Sequence, residues 1–264
     1  MPSNSSATAN APTVTQTFYT AAREARDVVQ RLLKRKREGL DWIDDLRELQ
    51  QEFIQSSPQA SQRECGAGCA SCCLSAQVDV TGVEAIAASE FLRMCVSPED
   101  LAKIETRLKR STEIRRAQIK GQLPQRPVAC GMLNSKGHCQ IYAARPVICS
   151  GVFSTDRQAC DDAIHAAETG DLSGSAPLDL VSIQATGGIS GGLQRVLVEN
   201  GYDGNLYELN SAVLTVLHDT QALQRFFDRE DIFRDAICTE AHSPPRRNMV
   251  VRPYHLRRRE SQLR

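Results

Sequence analysis

The feature of this chain that most constrains its fold is a concentration of cysteines. Nine of its ten cysteines lie between Cys65 and Cys160. The first group, Cys65-Gly-Ala-Gly-Cys69-Ala-Ser-Cys72-Cys73, places four thiols within nine residues. Its small intervening residues let a loop turn tightly and direct several sulfurs inward. This segment has no apolar periodicity that would bury it, so the pattern favours ligation of a metal or a cluster over packing.

A second group of cysteines is spread more widely along the chain. Gaps of eight, nine and ten residues separate its members, and each gap can form a turn of its own; the members are Cys130, Cys139, Cys149 and Cys160. Their spacing alone leaves ligation and burial equally open. The two remaining cysteines, Cys95 beside Met94 and Cys238 near a predicted helix end, are interpreted as packing residues.

The compartment bears on the chemistry of these thiols. The first twenty residues contain no basic residue and no continuous apolar segment, so they do not resemble a secretory signal. No run of eighteen apolar residues occurs, which predicts no membrane-spanning helix and no membrane partner. We therefore expect a cytoplasmic protein. In that reducing compartment clustered cysteines are more often metal ligands or redox groups than disulfides.

Composition indicates the fold class. The 264 residues are 41% hydrophobic and only 5% aromatic, with abundant helix formers, so we expect a mainly α protein with irregular cysteine-bearing loops and at most short strands. The 32 basic and 32 acidic residues cancel, and a nucleic-acid partner is not expected despite the arginine-rich end of the chain.

The predicted organisation has five parts. Residues 1–16 form a disordered tail, 17–58 N-terminal helices, 59–165 the cysteine-cluster metal-binding domain, 166–240 C-terminal helices that pack on it, and 241–264 a basic disordered tail. Alternation from Leu74 to Val80 predicts a strand, and an apolar stripe ending at Met94 predicts the next helix. Gly187-Gly188-Ile-Ser-Gly191-Gly192 is interpreted as a flexible helix start rather than a phosphate-binding loop, because no lysine follows it.

The two cysteine groups together resemble a known family. The first group, then Thr81-Gly-Val-Glu84, then Cys139-Gln-Ile-Tyr-Ala-Ala-Arg145-Pro-Val-Ile-Cys149, is similar to the YkgJ family of CxxCxxCC zinc- or iron-chelating domains. The resemblance implies eight metal-binding cysteines: Cys65, Cys69, Cys72, Cys73, Cys130, Cys139, Cys149 and Cys160. Two positions depart from the family pattern. The first gap has three residues instead of two, and Ser150 replaces the usual arginine.

Thiolates suit both zinc and iron, so the cofactor is expected to be zinc or iron, with an iron–sulfur cluster as one form of the latter. Four thiolates on Zn²⁺ carry a net charge of −2, and Arg145 is the best placed cation to balance it. Side chains of neighbouring residues diverge, so Cys72 and Cys73 more easily serve two metals, or bridge them, than chelate one. Two four-thiolate sites, one dinuclear site, and one site with spare thiols remain open.

Two functions follow from these residues. The first is a cytosolic metal-binding protein whose metal ion is its expected partner, with any protein partner unknown. The second is an iron–sulfur-dependent enzyme similar to a protein lysine methylase, since some members of the resembling family are flagellin lysine methylases and Cys65-x3-Cys69-x2-Cys72 has radical S-adenosylmethionine spacing. Ser71 replaces the usual aromatic residue of such loops, and the strands of a β/α barrel are lacking. The sequence leaves open whether the protein is an enzyme and identifies no catalytic residue.

Overall fold

The computed structural model describes residues 13–35, 41–66, 68–75 and 77–240, which form ten α-helices and one small sheet. The helices are α1 (Val14–Arg35), α2 (Asp41–Ser56), α3 (Ser71–Ser75), α4 (Gly82–Cys95), α5 (Pro98–Ile119), α6 (Val147–Ser150), α7 (Arg157–Thr169), α8 (Leu180–Glu199), α9 (Leu209–Val216) and α10 (Ala222–Phe227). This confirms the mainly α prediction. Residues 1–12 of the predicted first tail and the whole predicted basic tail, 241–264, lie outside the described residues.

The sheet has three short antiparallel strands in the order β1 (Asp79–Thr81), β2 (Leu206–Glu208) and β3 (Cys238–Glu240). Asp79 pairs with Glu208, and Leu206 pairs with Glu240. The sheet joins the start of α4 to the start of α9, so segments distant in sequence meet there. None of the helices in the described ranges combines the length and apolar character that a bilayer-spanning segment needs.

Helices α1 and α8 pack closely because α8 carries glycines at their contact. A Cβ atom on Gly188 would lie 2.3 Å from the carbonyl oxygen of Phe18, and one on Gly192 would lie 2.5 Å from that of Ala22. The interpretation of this glycine run as a flexible helix start is therefore wrong. The run lies in the middle of α8, where missing side chains let two helix backbones approach each other.

Helices α4 and α5 begin as their sequences indicate. The Glu84 carboxylate accepts a hydrogen bond from the backbone N–H of Thr81, which forms a capping box. Ser97 caps α5 by accepting the N–H of Asp100, with Pro98 in the first turn, where no donor is needed. Buried apolar residues of both helices join those of α1, α8 and α9 in one hydrophobic core.

Three local expectations are corrected by the structure. Cys95 and Cys238 are both exposed, so they are not packing residues, and Cys238 lies in β3 rather than in a helix. Met94 is 76% exposed because the apolar face of α4 ends before it. The predicted strand is shorter than expected: its first part, including Leu74, lies in α3, and only its end is in β1.

Candidate metal centre

The loop that carries Cys65 is held against the chain segment that leads into α7. The backbone N–H of Ser154 donates to the Cys65 Sγ at 3.1 Å, and the N–H of Glu64 donates to the Ser154 carbonyl at 3.0 Å. The Glu64 carboxylate in turn accepts the N–H of Arg157 at 2.8 Å. An amide that donates to sulfur stabilises its thiolate form, so this contact suits a ligand.

Helix α3, which carries Cys72 and Cys73, is fixed to α7, which carries Cys160. The Ser71 hydroxyl donates to the Asp161 carboxylate with 2.7 Å between the oxygens. Asp161 thus joins the two helices that hold these cysteines.

Hydrogen bonds to backbone N–H groups position Cys130 and Cys139 of the second cysteine group. The N–H of Cys130 donates to the carbonyl of Cys73 at 2.7 Å. A turn then brings Cys139 back, because the Asn134 side-chain oxygen accepts the N–H groups of Lys136 and His138, each at 2.9 Å. Gly137 completes this turn with a φ of 75°, a backbone conformation that favours glycine.

Helix α6 presents Cys149 and is held by buried polar side chains. The Glu84 carboxylate accepts the N–H of Val147 at 3.0 Å, and the Gln50 amide donates to the Val147 carbonyl at 2.8 Å. The Ser150 hydroxyl donates to the Gln50 side-chain oxygen at 2.7 Å. Ser150 is 4% exposed, so the serine that departs from the family pattern occupies a small buried site between helices.

The charge effects among the thiols favour an arrangement in two groups of four. Burial and the nearby thiols of Cys160, Cys65, Cys73 and Cys69 together raise the pKa of Cys72 to about 11. Burial also raises the pKa of Cys65, and Cys69 and Cys160 add to this effect. We call Cys65, Cys69, Cys72 and Cys160 the first thiol group.

A second thiol group surrounds Cys73, and its members are Cys73, Cys130, Cys139 and Cys149. Burial, with smaller contributions from Cys73 and Cys139, raises the pKa of Cys130 to about 12. The pKa of Cys149 is raised well above its usual value by burial and by the other three thiols. The two groups also interact, because Cys73 raises the pKa of Cys72 and Cys69 raises that of Cys73.

Arg145 is the cation of the second thiol group. Its positive charge opposes the rise in the pKa of Cys73, Cys139 and Cys149. Its Nη1 donates to the carbonyl of Cys149 at 3.3 Å, and its guanidinium carbon lies 3.9 Å from the centre of the Tyr142 ring. The structure thus places Arg145 beside thiols that a metal would convert to thiolates.

The donor set fits a soft metal, although the side chains are not in ligating positions. All ten cysteines are free thiols. Within the described ranges, no three His, Cys, Asp or Glu side chains are arranged to hold a metal ion. Crowded thiols whose pKa values are raised are in the state from which metal binding releases protons, and tetrathiolate sites suit both zinc and iron.

A cavity of about 1510 Å³ adjoins both thiol groups. Seven of the eight predicted ligands line it. The eighth, Cys65 of the first thiol group, is bound by the N–H of Ser154 and does not line the cavity. The exposed His138 also lines the cavity. Sequence reasoning did not find Gln50 or Ser154, because an isolated glutamine in a helix and a serine in a loop carry no spacing signal.

Comparison with protein families agrees with this geometry. Residues 64–165 match the family model CxxCxxCC, described as a "putative zinc- or iron-chelating domain". The matched segment contains all eight cysteines of the two thiol groups and confirms the resemblance noted in the sequence. It supports metal binding, with zinc or iron as the matching cofactor. No curated protein and no solved structure shows significant similarity to the chain.

Proposed function

We propose that this protein binds zinc or iron at two neighbouring tetrathiolate centres. Cys65, Cys69, Cys72 and Cys160 form the first, and Cys73, Cys130, Cys139 and Cys149 form the second. The observation that carries the proposal is the pairing of α3 with two different segments: Ser71 bonds to Asp161 beside Cys160, and the carbonyl of Cys73 accepts the N–H of Cys130. The strongest thiol effects on the pKa of Cys72 come from Cys160 and Cys65, whereas those on Cys149 come from Cys130, Cys73 and Cys139.

Charge supports this division. Four thiolates leave each divalent centre at −2, and Arg145 is positioned to offset that charge at the second centre. At the first centre, the N–H of Ser154 donates to the Cys65 sulfur and offsets part of the negative charge. The metal would join α3, α6 and α7, or carry electrons if it is iron. The free thiols are in keeping with the cytoplasm as the site of action.

Single substitutions of the adjacent cysteines test the two-centre proposal. In protein purified without oxygen, we expect Cys72→Ser to lower the metal content by about half and Cys73→Ser to lower it by a similar amount, because each removes a ligand from one centre. The double variant is expected to lose nearly all metal. Elemental analysis measures the loss, and Mössbauer and electron paramagnetic resonance spectra identify iron.

Cys95→Ser and Cys238→Ser are the matched controls, since both thiols are exposed and lie outside the groups. They are expected to retain the full metal content. Equal metal content in the Cys72→Ser, Cys73→Ser and control variants would contradict the assignment. Loss of all metal from each single variant would point to one dinuclear site instead.

The cavity beside the thiols favours one second candidate, an iron–sulfur-dependent enzyme similar to a protein lysine methylase. The cavity gives a substrate access to the sulfurs of the first thiol group. Against it, the strands in the described part of the chain form a small antiparallel sheet rather than a parallel barrel. A colourless protein with stoichiometric zinc would exclude this candidate. An iron–sulfur absorption spectrum that changes on adding S-adenosylmethionine would support it.

A further inference from the structure

Arg115 is a buried cation that interacts in charge with Cys130 but has donors that no described residue uses. It lies in α5, is 8% exposed, and lines the cavity. Its Nε and Nη2 atoms are buried and have no hydrogen-bond partner among the described residues. A buried guanidinium with unused donors costs folding free energy, so such a group calls for a partner.

The two carboxylates whose charges act on Arg115 do not form hydrogen bonds with these donors. Asp79 and Glu208 help to keep the guanidinium charged. The Glu208 oxygens instead accept hydrogen bonds from the Asn210 amide at 2.6 Å and from the Ser211 N–H at 2.8 Å. One Asp79 oxygen accepts from the Gln77 amide at 3.1 Å. The two acids balance charge while the Arg115 donors stay unused.

The cavity wall near Arg115 is apolar. Val78 lies next to Asp79, while Leu206 and Leu209 flank Glu208, and the side chains of all three line the cavity. Met132, two residues after Cys130, also lines it. Asp79 and Glu240 also line the cavity, so a ligand beside Arg115 would meet a mostly apolar surface with one cation and acidic groups at its edge.

We propose that the cavity binds an organic monocarboxylate, with its carboxylate on Arg115 and its apolar body against Val78, Leu206 and Leu209. Binding requires the guanidinium to turn its buried Nε and Nη2 donors toward the cavity, where they would meet two carboxylate oxygens. A phosphate dianion fits less well, because Asp79 and Glu208 already add negative charge here. The proposed ligand contacts use residues outside both thiol groups, and the measured metal content separates an effect on the ligand from one on Cys130, whose charge acts on Arg115.

The first test compares three ligands with one eight-carbon chain on the full-length protein as isolated. Isothermal titration calorimetry should show saturable binding of octanoate. Octan-1-ol, which lacks the charge, is expected to bind at least about 10-fold more weakly than octanoate. Octyl phosphate is also expected to bind more weakly than octanoate. Equal or tighter binding of either analogue, or no saturable binding of octanoate, would overturn the proposal.

The second test uses variants of α5. Arg115→Met should weaken octanoate binding by about 10-fold or more with unchanged metal content, and Arg115→Lys, which keeps the charge without the planar fork, should be intermediate. Arg110→Met, at an exposed position of the same helix, is the control and should bind like the wild type. If Arg115→Met does not fold, the three-ligand comparison decides. Unchanged octanoate affinity in Arg115→Met, or its loss together with the metal, would overturn the proposal.

Discussion

At the scale of one residue, Glu84 helps to position the metal centre although it is not one of the proposed ligands. One carboxylate oxygen accepts the N–H and the hydroxyl of Thr81 at 2.9 and 2.8 Å, and the other accepts the N–H of Val147 at 3.0 Å. One buried side chain therefore begins α4 and fixes the first turn of α6, two residues before Cys149. Its contribution is positional, because it touches no thiol in these contacts.

Glu84→Gln should destabilise the protein by about 1–3 kcal/mol, because the amide nitrogen cannot accept a bond that the carboxylate accepted. Burial raises the pKa of Glu84. As pH rises above the ordinary value of 4.5, the unfolded chain therefore releases this proton before the folded protein does, which favours unfolding. The stability advantage of the wild type over Glu84→Gln should shrink as pH rises.

Urea unfolding at several pH values measures this difference. Glu113→Gln, an exposed position on α5, serves as the control and should match the wild type throughout. A difference between the wild type and Glu84→Gln that grows with pH would show that the carboxylate is stabilised in its charged form.

At the scale of elements, α8 both packs against α1 and lines the cavity beside the thiols. Gly188 and Gly192 let it approach α1, while Gln184 and Val198 line the cavity. Thr186 of the same helix accepts a hydrogen bond from Gln50 at 2.8 Å, which connects α8 to the polar cluster that holds α6. The N-terminal helices therefore support the cysteine segment without contributing a ligand.

Two glycine-to-alanine substitutions on α8 should have opposite signs. Gly188→Ala is expected to cost about 1–3 kcal/mol of stability, because its Cβ would meet the backbone oxygen of Phe18 at 2.3 Å. Gly191→Ala should stabilise by up to about 1 kcal/mol through helix propensity, since its Cβ would lie 3.9 Å from the Phe18 ring. Thermal unfolding measures both. Equal effects would contradict the close packing of α1 on α8.

Sequence reasoning succeeded where one local signal decides the structure. The helix expected after the predicted strand is α4, and the small residues around Cys69 form a turn in which the N–H of Cys69 donates to the carbonyl of Gly66. It failed at α8, because glycines that permit close helix packing look locally like glycines that break a helix. The partition of the thiols was also beyond the sequence, which left several site arrangements open, since it depends on how α3, α6 and α7 pack.

At the scale of the molecule, the hydrophobic core and the thiol groups are adjacent but distinct. The core is formed mainly by α1, α4, α5, α8 and α9, and the second thiol group packs at its margin through Cys130, Cys139 and Cys149. The core's buried apolar area does not depend on a metal, so its helices have their own source of stability.

Metal removal should therefore loosen the cysteine loops and leave the helical core folded. After treatment with a chelator, we expect far-ultraviolet circular dichroism to change little and limited proteolysis to cut within residues 64–73 and 130–139 more rapidly. The metal-loaded protein under the same protease is the control. Cooperative loss of the helical signal on chelation would show instead that the metal holds the whole fold together.

The adjacency of Cys72 and Cys73 has a consequence for electron transfer. Adjacent Cα atoms lie about 3.8 Å apart, so the covalent path from one sulfur to the other crosses a single peptide bond. If both centres hold iron, that path couples them electronically, and reducing one centre changes the potential of the other. The dipeptide would then carry electrons between the centres, and the second centre would be reduced at a lower potential than the first, because the first reduction adds negative charge beside it.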